Sequence, residues 1–148
     1  MKFLPFAFIA LLASCASTND APVNFYDVSK LEVPPPQEAH IYFIRPSAFI
    51  AAFSAPKILL NGKKVGDLSN GTYFIKKVVP GKYQVFVDWG GGRGRNMEVN
   101  APAGKRTYVE TECQYTGMSG SITYYGCPVV SVSETRALRI LPDLNLAK

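Results

Sequence analysis

From His40 to Ser133 the chain is a succession of short apolar runs, each stopped by a turn signal, and that punctuation limits it to an all-β fold. Strands are predicted over residues 40–45, 57–60, 65–68, 72–79, 83–89, 95–100, 105–115 and 122–133. Pro46 stops the first run, and Asn61-Gly62 takes the positive φ values of a tight hairpin. Ser69-Asn70-Gly71, Pro80-Gly81, residues 90–94 and Ala101-Pro102-Ala103-Gly104 separate the others. In the fifth run Tyr83, Val85, Val87 and Trp89 alternate with Gln84, Phe86 and Asp88, the pattern of a strand with one buried face. Ser133 caps a short helix over 134–141 that Pro142 ends. Seven to eight strands at this spacing close as a single antiparallel β-sandwich with a short C-terminal helix. Nothing in the order of elements suggests a parallel sheet.

The N-terminus reads differently. Met1-Lys2 gives a positive start, residues 3–12 are apolar apart from Pro5, and Leu12-Ala13-Ser14-Cys15 leads at once into polar residues. This is the plan of a secretory signal, and it is too short for a spanning helix, which needs about 20 apolar residues. Leu-Ala-Ser-Cys matches a lipobox, in which Cys15 takes a diacylglycerol and becomes the new N-terminus. Residues 1–14 are thus read as a signal peptide and 15–38 as lipidated cysteine plus Pro-rich tether, closed by Pro34-Pro35-Pro36. Residues 39–148 form the β-sandwich domain. Membrane attachment through lipid on Cys15 is expected. Ala16, in place of an inner-membrane retention Asp, points to the outer membrane facing the periplasm in a two-membrane cell.

The exported length fits one domain. A net charge of +5, one less once Lys2 leaves with the signal, implies no nucleic-acid partner. Of three cysteines Cys15 is given to lipid, which leaves Cys113 and Cys127 as one pair in an oxidising compartment. They flank a hairpin turning near 117–121, and a turn centred on Gly120 sets them opposite each other at disulfide distance. A metal site is disfavoured because His40, the only histidine, is remote, and a redox pair because no C-x-x-C occurs.

Ile41-Tyr42-Phe43-Ile44-Arg45-Pro46-Ser47, the apolar residues 48–53, and Leu60-Asn61-Gly62-Lys63-Lys64-Val65-Gly66-Asp67-Leu68 resemble an uncharacterised family of small bacterial lipoproteins. Asn70-Gly71-Thr72-Tyr73-Phe74 and Val79-Pro80-Gly81-Lys82-Tyr83 continue the likeness, which is strongest over 40–89. The Pro-Gly-x-Tyr hairpin is similar to those of PEGA and carboxypeptidase-regulatory-like modules, which implies a prealbumin-like sandwich without catalysis. Residues 90–95 and the cysteine hairpin fall outside the family pattern.

Catalytic constellations are not legible. One histidine supports neither a triad nor a His-rich metal site. Glu110 and Glu112 fall on one strand face, where such carboxylates are usually just solvated, and no cofactor is implied. Gly90-Gly91-Gly92-Arg93-Gly94 lacks the following helix that a phosphate loop needs, so it reads as a hairpin loop showing Arg93 and Arg95. Asn70-Gly71-Thr72 is read as turn chemistry and Trp89 as core.

The unusual feature is Phe49-Ile50-Ala51-Ala52-Phe53, apolar where a connection should be polar. Either it tucks over the end of the sandwich, the favoured reading, or Phe49, Ile50 and Phe53 form an exposed contact surface. If every connection reverses direction, Lys63, Lys64, Lys82, Lys105 and Arg106 gather at one end, expected to be where the tether enters and to face anionic headgroups. The 49–53 loop, Arg93 and Arg95 then occupy the far end, facing an unknown envelope protein or polymer. The expected function is a lipid-anchored, non-catalytic envelope protein. An enzyme acting on an envelope polymer and an accessory subunit of an envelope complex are the alternatives.

Overall fold

The computed structural model describes residues 26–90 and 94–147. Two sheets stack face to face. The first contains β1 (Ala39–Arg45), β4 (Thr72–Val78), β7 (Arg106–Thr111), β10 (Val129–Val132) and β11 (Asn145–Leu146), in the order β10-β7-β1-β4-β11. The second contains β2 (Lys57–Leu60), β3 (Lys63–Asp67), β5 (Gly81–Asp88) and β6 (Gly94–Ala101), in the order β3-β2-β5-β6. A separate hairpin joins β8 (Gln114–Ser119) to β9 (Ile122–Gly126). The all-β sandwich with one short helix is the architecture the turn spacing predicts, with more strands because the two longest runs are each cut in two and Asn145–Leu146 adds an eleventh.

The cut has a covalent marker. β7 pairs with β10 through Thr111 and Val129, and β8 pairs with β9 from Gln114 and Gly126 in the same register. Between them lies the Cys113–Cys127 disulfide, its Cα atoms 4.0 Å apart. Pro128 has no N–H for the ladder there. The hairpin is therefore a continuation of β7 and β10, clipped where hydrogen bonding lapses.

The five-stranded sheet is mixed, which corrects the purely antiparallel expectation. β1 runs antiparallel to β4 but parallel to β7, and β11 is parallel to β4. Six successive reversals between β1 and β7 bring the chain back in its original direction. The connections thus do alternate between two ends. At one, the loop end, Arg45 closes β1, Pro56 accepts from the Leu68 N–H at 2.9 Å, and Asn70 reaches the Ala48 N–H. The other, the turn end, carries Asn61-Gly62, with φ of 48° and 80°, and Gly104.

β1 is buried along all seven residues, which explains its near-continuous apolar run. Ala39, Ile41 and Phe43 face the second sheet and join Ile58, Leu60, Val85, Val87 and Val99. Gly94 lies directly against the Phe86 ring, where a Cβ would overlap it. Tyr42 and Ile44 point the other way, into a second core with Leu31, Tyr108, Ala137 and Leu141. Helix α1 (Glu134–Ile140) lies over that face, capped by the Ser133 hydroxyl, which accepts from the Arg136 N–H at 3.3 Å.

The rest of that cover is the segment read as tether. Residues 26–38 lie on the outer face of the five-stranded sheet. The Tyr26 N–H donates to the Leu138 carbonyl at 2.6 Å, Asp27 caps a 3-10 turn over Val28–Lys30, and Leu31 is buried. Glu32 pairs with Lys77 at 2.6 Å, and the Gly104 N–H donates to the Glu38 carbonyl at 2.8 Å. Two apolar side chains, Tyr26 and Leu31, turn a proline-rich stretch into a strap. Composition alone hides them.

Candidate functional site

The loop end is organised by Arg45, the last residue of β1. Its backbone closes the strand, and its side chain is only 1 % exposed. The guanidinium donates to the carbonyls of Ala51 at 2.6 Å, Leu68 at 3.0 Å and Ser54, and its carbon lies 4.8 Å above the Trp89 ring. Among the described residues no carboxylate pairs with it, and desolvation pulls it below the ordinary arginine value. A buried cation without a counter-ion is tolerated when dipoles take the counter-ion's place, and here three carbonyls and a ring face do so. Trp89 thus belongs to the core and also to this clamp.

The clamp fixes the 46–56 connection. Ala51 sits at φ 58°, a conformation that costs a non-glycine residue about 1 kcal/mol. Its carbonyl accepts from Arg45, from the Ser54 N–H at 3.0 Å and from the Ser54 hydroxyl at 2.8 Å. Asn70 Oδ1 accepts from the Ala48 N–H at 3.0 Å, so the Asn70-Gly71-Thr72 segment acts as turn chemistry. On this rigid frame Ile50 is half-buried, whereas Phe49 and Phe53 are 97 % and 105 % exposed. The favoured reading, a loop tucked over the sandwich, is therefore wrong for both rings. Inward, the connection offers its carbonyls to Arg45, and of its side chains Pro56 is buried and Ile50 half-buried.

The β8–β9 hairpin projects past the same end, since Glu110, next to the last residue of β7, is level with Ile44 of β1. Tyr115, Met118 and Ile122 are exposed on it. Gln114 and Thr116 of β8 face Arg95 and Asn96 of β6 across an open groove. Arg95 is exposed, and Arg93 lies outside the described residues, as does Cys15.

At the turn end the five predicted basic residues are placed by Asn61-Gly62, Gly81 and Gly104, but most are neutralised. Lys64 pairs with Asp67 at 2.6 Å and Lys82 with Glu98 at 2.9 Å. Arg106 is largely covered, donating to Glu134 at 3.4 Å and to the Glu32 carbonyl at 3.5 Å. Among the described residues, Lys63 and Lys105 alone of the five form no ion pair. Nor does the chain enter here. The strap starts with Tyr26 beside Leu138 and packed with Tyr73, level with Ile44 at the loop end, and reaches the turn end only at Glu38.

Glu110 is not solvated. It is 4 % exposed and accepts two bonds of 2.7 Å from Arg136 on α1, whose pKa that contact raises. Glu112 lies beyond the end of β7. His40 is fully buried on the outer face of β1, 3.7 Å from Glu38. Among the described residues no group of three or more His, Cys, Asp or Glu side chains is placed to hold a metal, and no helix is long and apolar enough to cross a membrane. Sequence reasoning missed Arg45 and the strap. The available signals were an arginine ending an otherwise apolar strand and an isolated Tyr26 and Leu31 in a polar stretch.

Residues 35–123 match a family described as "Protein of unknown function (DUF2846)". That span covers β1 to β8 and includes the Arg45 clamp and the aromatic loop, but not α1. No curated protein and no solved structure matches the chain.

Proposed function

This chain belongs to the DUF2846 family, whose function is unknown, and for it we propose the role of a lipid-anchored, non-catalytic cell-envelope protein that presents the loop end of its sandwich as a binding surface. The observation that carries the reading is the pair of fully exposed rings, Phe49 and Phe53, on a connection that a buried arginine holds rigid. A soluble surface that merely closes a turn has no reason to spend a buried cation on displaying two phenylalanines. The anchoring half of the proposal rests on Leu12-Ala13-Ser14-Cys15, and Ala16 favours the outer membrane of a two-membrane cell. The resemblance to bacterial lipoproteins and to PEGA-like modules agrees with both halves.

Photo-crosslinking in living cells tests the surface. The full chain carries p-benzoylphenylalanine at Phe49, Phe53 or Lys63, and Phe49→Ser/Phe53→Ser serves as folding control. Adducts at 49 and 53 with none at 63 are expected, and the double variant changes stability by no more than about 0.5 kcal/mol. Adducts at 63 alone, or none at either phenylalanine, contradict the assignment. Metabolic palmitate labelling that survives Cys15→Ala contradicts the anchor.

A further inference from the structure

We propose that the loop end docks on the bilayer itself, with Phe49 and Phe53 entering the interface of the membrane that holds the chain. This rests on the lipid-anchored reading above and gives its binding surface an occupant. Three independent observations carry it.

The first is where the chain leaves the fold. The strap runs back along the outer face of the five-stranded sheet, so residues 1–25 depart from Tyr26, beside Leu138 and Tyr73. Tyr73 pairs with Ile44, next to Arg45, and Asn145, just past α1, donates to the Gly71 carbonyl. The point of departure and the aromatic loop share one end of the sandwich. From Cys15 to Tyr26 the chain spans at most about 40 Å, and a seven-residue strand is about 23 Å long. Departure from the turn end would spend most of that reach on the body of the protein. Departure from the loop end keeps Phe49 and Phe53 at high local concentration against the anchoring bilayer, so a weak insertion suffices.

The second is charge. The two segments that project at this end, residues 46–56 and 114–126, contain no Asp, Glu, Lys or Arg. The turns and strand ends opposite carry Lys63, Lys64, Lys82, Lys105 and Arg106. Exposed connections facing water are normally charged; here Lys57, Asp67 and Asp88 stand at the strand ends, and the charge-free stretches are the two protrusions that carry the exposed apolar side chains. Arg95, exposed beside the hairpin, adds a cation suited to lipid phosphate, while the carboxylates at this end, Asp67, Asp88 and Glu112, sit at strand ends behind the two protrusions.

The third is shape. Phe49 and Phe53 on one protrusion and Met118 and Ile122 on the other are all exposed. Separate apolar tips on rigid stalks, one clamped by Arg45 and one clipped by the Cys113–Cys127 disulfide, suit a deformable lipid interface. A protein partner would instead be met by a contiguous patch.

The test uses the full chain, purified with its native modification and placed in vesicles of phosphatidylcholine and phosphatidylglycerol. Mass analysis of the Cys15 peptide comes first, because an unmodified cysteine overturns the anchoring reading alone. Phe49→Trp, Phe53→Trp and Lys63→Trp variants, each with Trp89 as common background, are then compared in vesicles with and without brominated acyl chains. Tryptophan at 49 and 53 is expected to lose roughly half its added emission to brominated lipid, and at 63 none. If Cys15 proves unmodified, the same quenching is read with the unlipidated chain in excess vesicles, so insertion is judged by itself. Absent quenching at 49 and 53, equal quenching at 63, or photo-adducts at 49 that are exclusively protein overturn the proposal.

Discussion

At the scale of single residues, Arg45 carries the largest consequence. Lysine keeps the charge but offers one compact ammonium where the fork meets three carbonyls and a ring. Arg45→Lys is expected to cost about 3 kcal/mol in denaturant unfolding and to alter Trp89 emission, because buried carbonyls lose their donors. An unchanged midpoint would mean that the loop holds itself. The second consequence is alkaline. Burial pushes Tyr42 up to about 12, and burial together with the 2.9 Å bond to Glu134 raises Tyr108 as well. The folded chain keeps phenolic protons that the unfolded chain gives up near pH 10, so stability is steady below that value and falls as pH rises from about 10 through about 12. Tyrosine absorbance and urea midpoints read together check this. Complete ionisation of all tyrosines near pH 10 in the folded protein would contradict it.

At the scale of elements, the disulfide decides whether the β8–β9 hairpin behaves as part of the sandwich. The register of β7 and β10 runs on through Cys113 and Cys127 while the ladder itself lapses, and across that gap the strands are joined by the disulfide and by the Thr111 hydroxyl, which donates to the Pro128 carbonyl at 2.9 Å. Replacing both cysteines with serine is expected to cost about 3 kcal/mol. Hydrogen exchange should then quicken over residues 114–126 while β1, β4 and β7 stay protected, whereas uniform loss or unchanged protection would contradict this division. How far the elements were legible follows from the same residues. Asn61-Gly62, Pro80-Gly81 and the alternation of Val85 and Val87 place strands through local chemistry, and Ser133 and Pro142 bracket α1 in the same way. The break at Cys113 and the break at Pro128 depend on a cross-strand partner, and no local period records that. The strap depends on two side chains finding a groove made by strands far along the chain. The exposure of Phe49 depends on Arg45 filling the interior in its place.

At the scale of the whole molecule, the sandwich is polarised along its strands. One end collects paired and unpaired lysines on tight turns, and the other collects uncharged protrusions with exposed Phe49, Phe53, Met118 and Ile122. Alternating connections were enough to sort these loops into two ends from the sequence. The end from which the N-terminal segment departs was not, because folding back of residues 26–38 reverses it. Neutron reflectometry of the full chain, carrying the lipid proposed on Cys15, on a supported bilayer tests this polarity most directly. The account predicts protein density continuous with the headgroup layer, and a water layer opening beneath the protein in Phe49→Ser/Phe53→Ser. A water layer already present beneath the wild-type protein would contradict it.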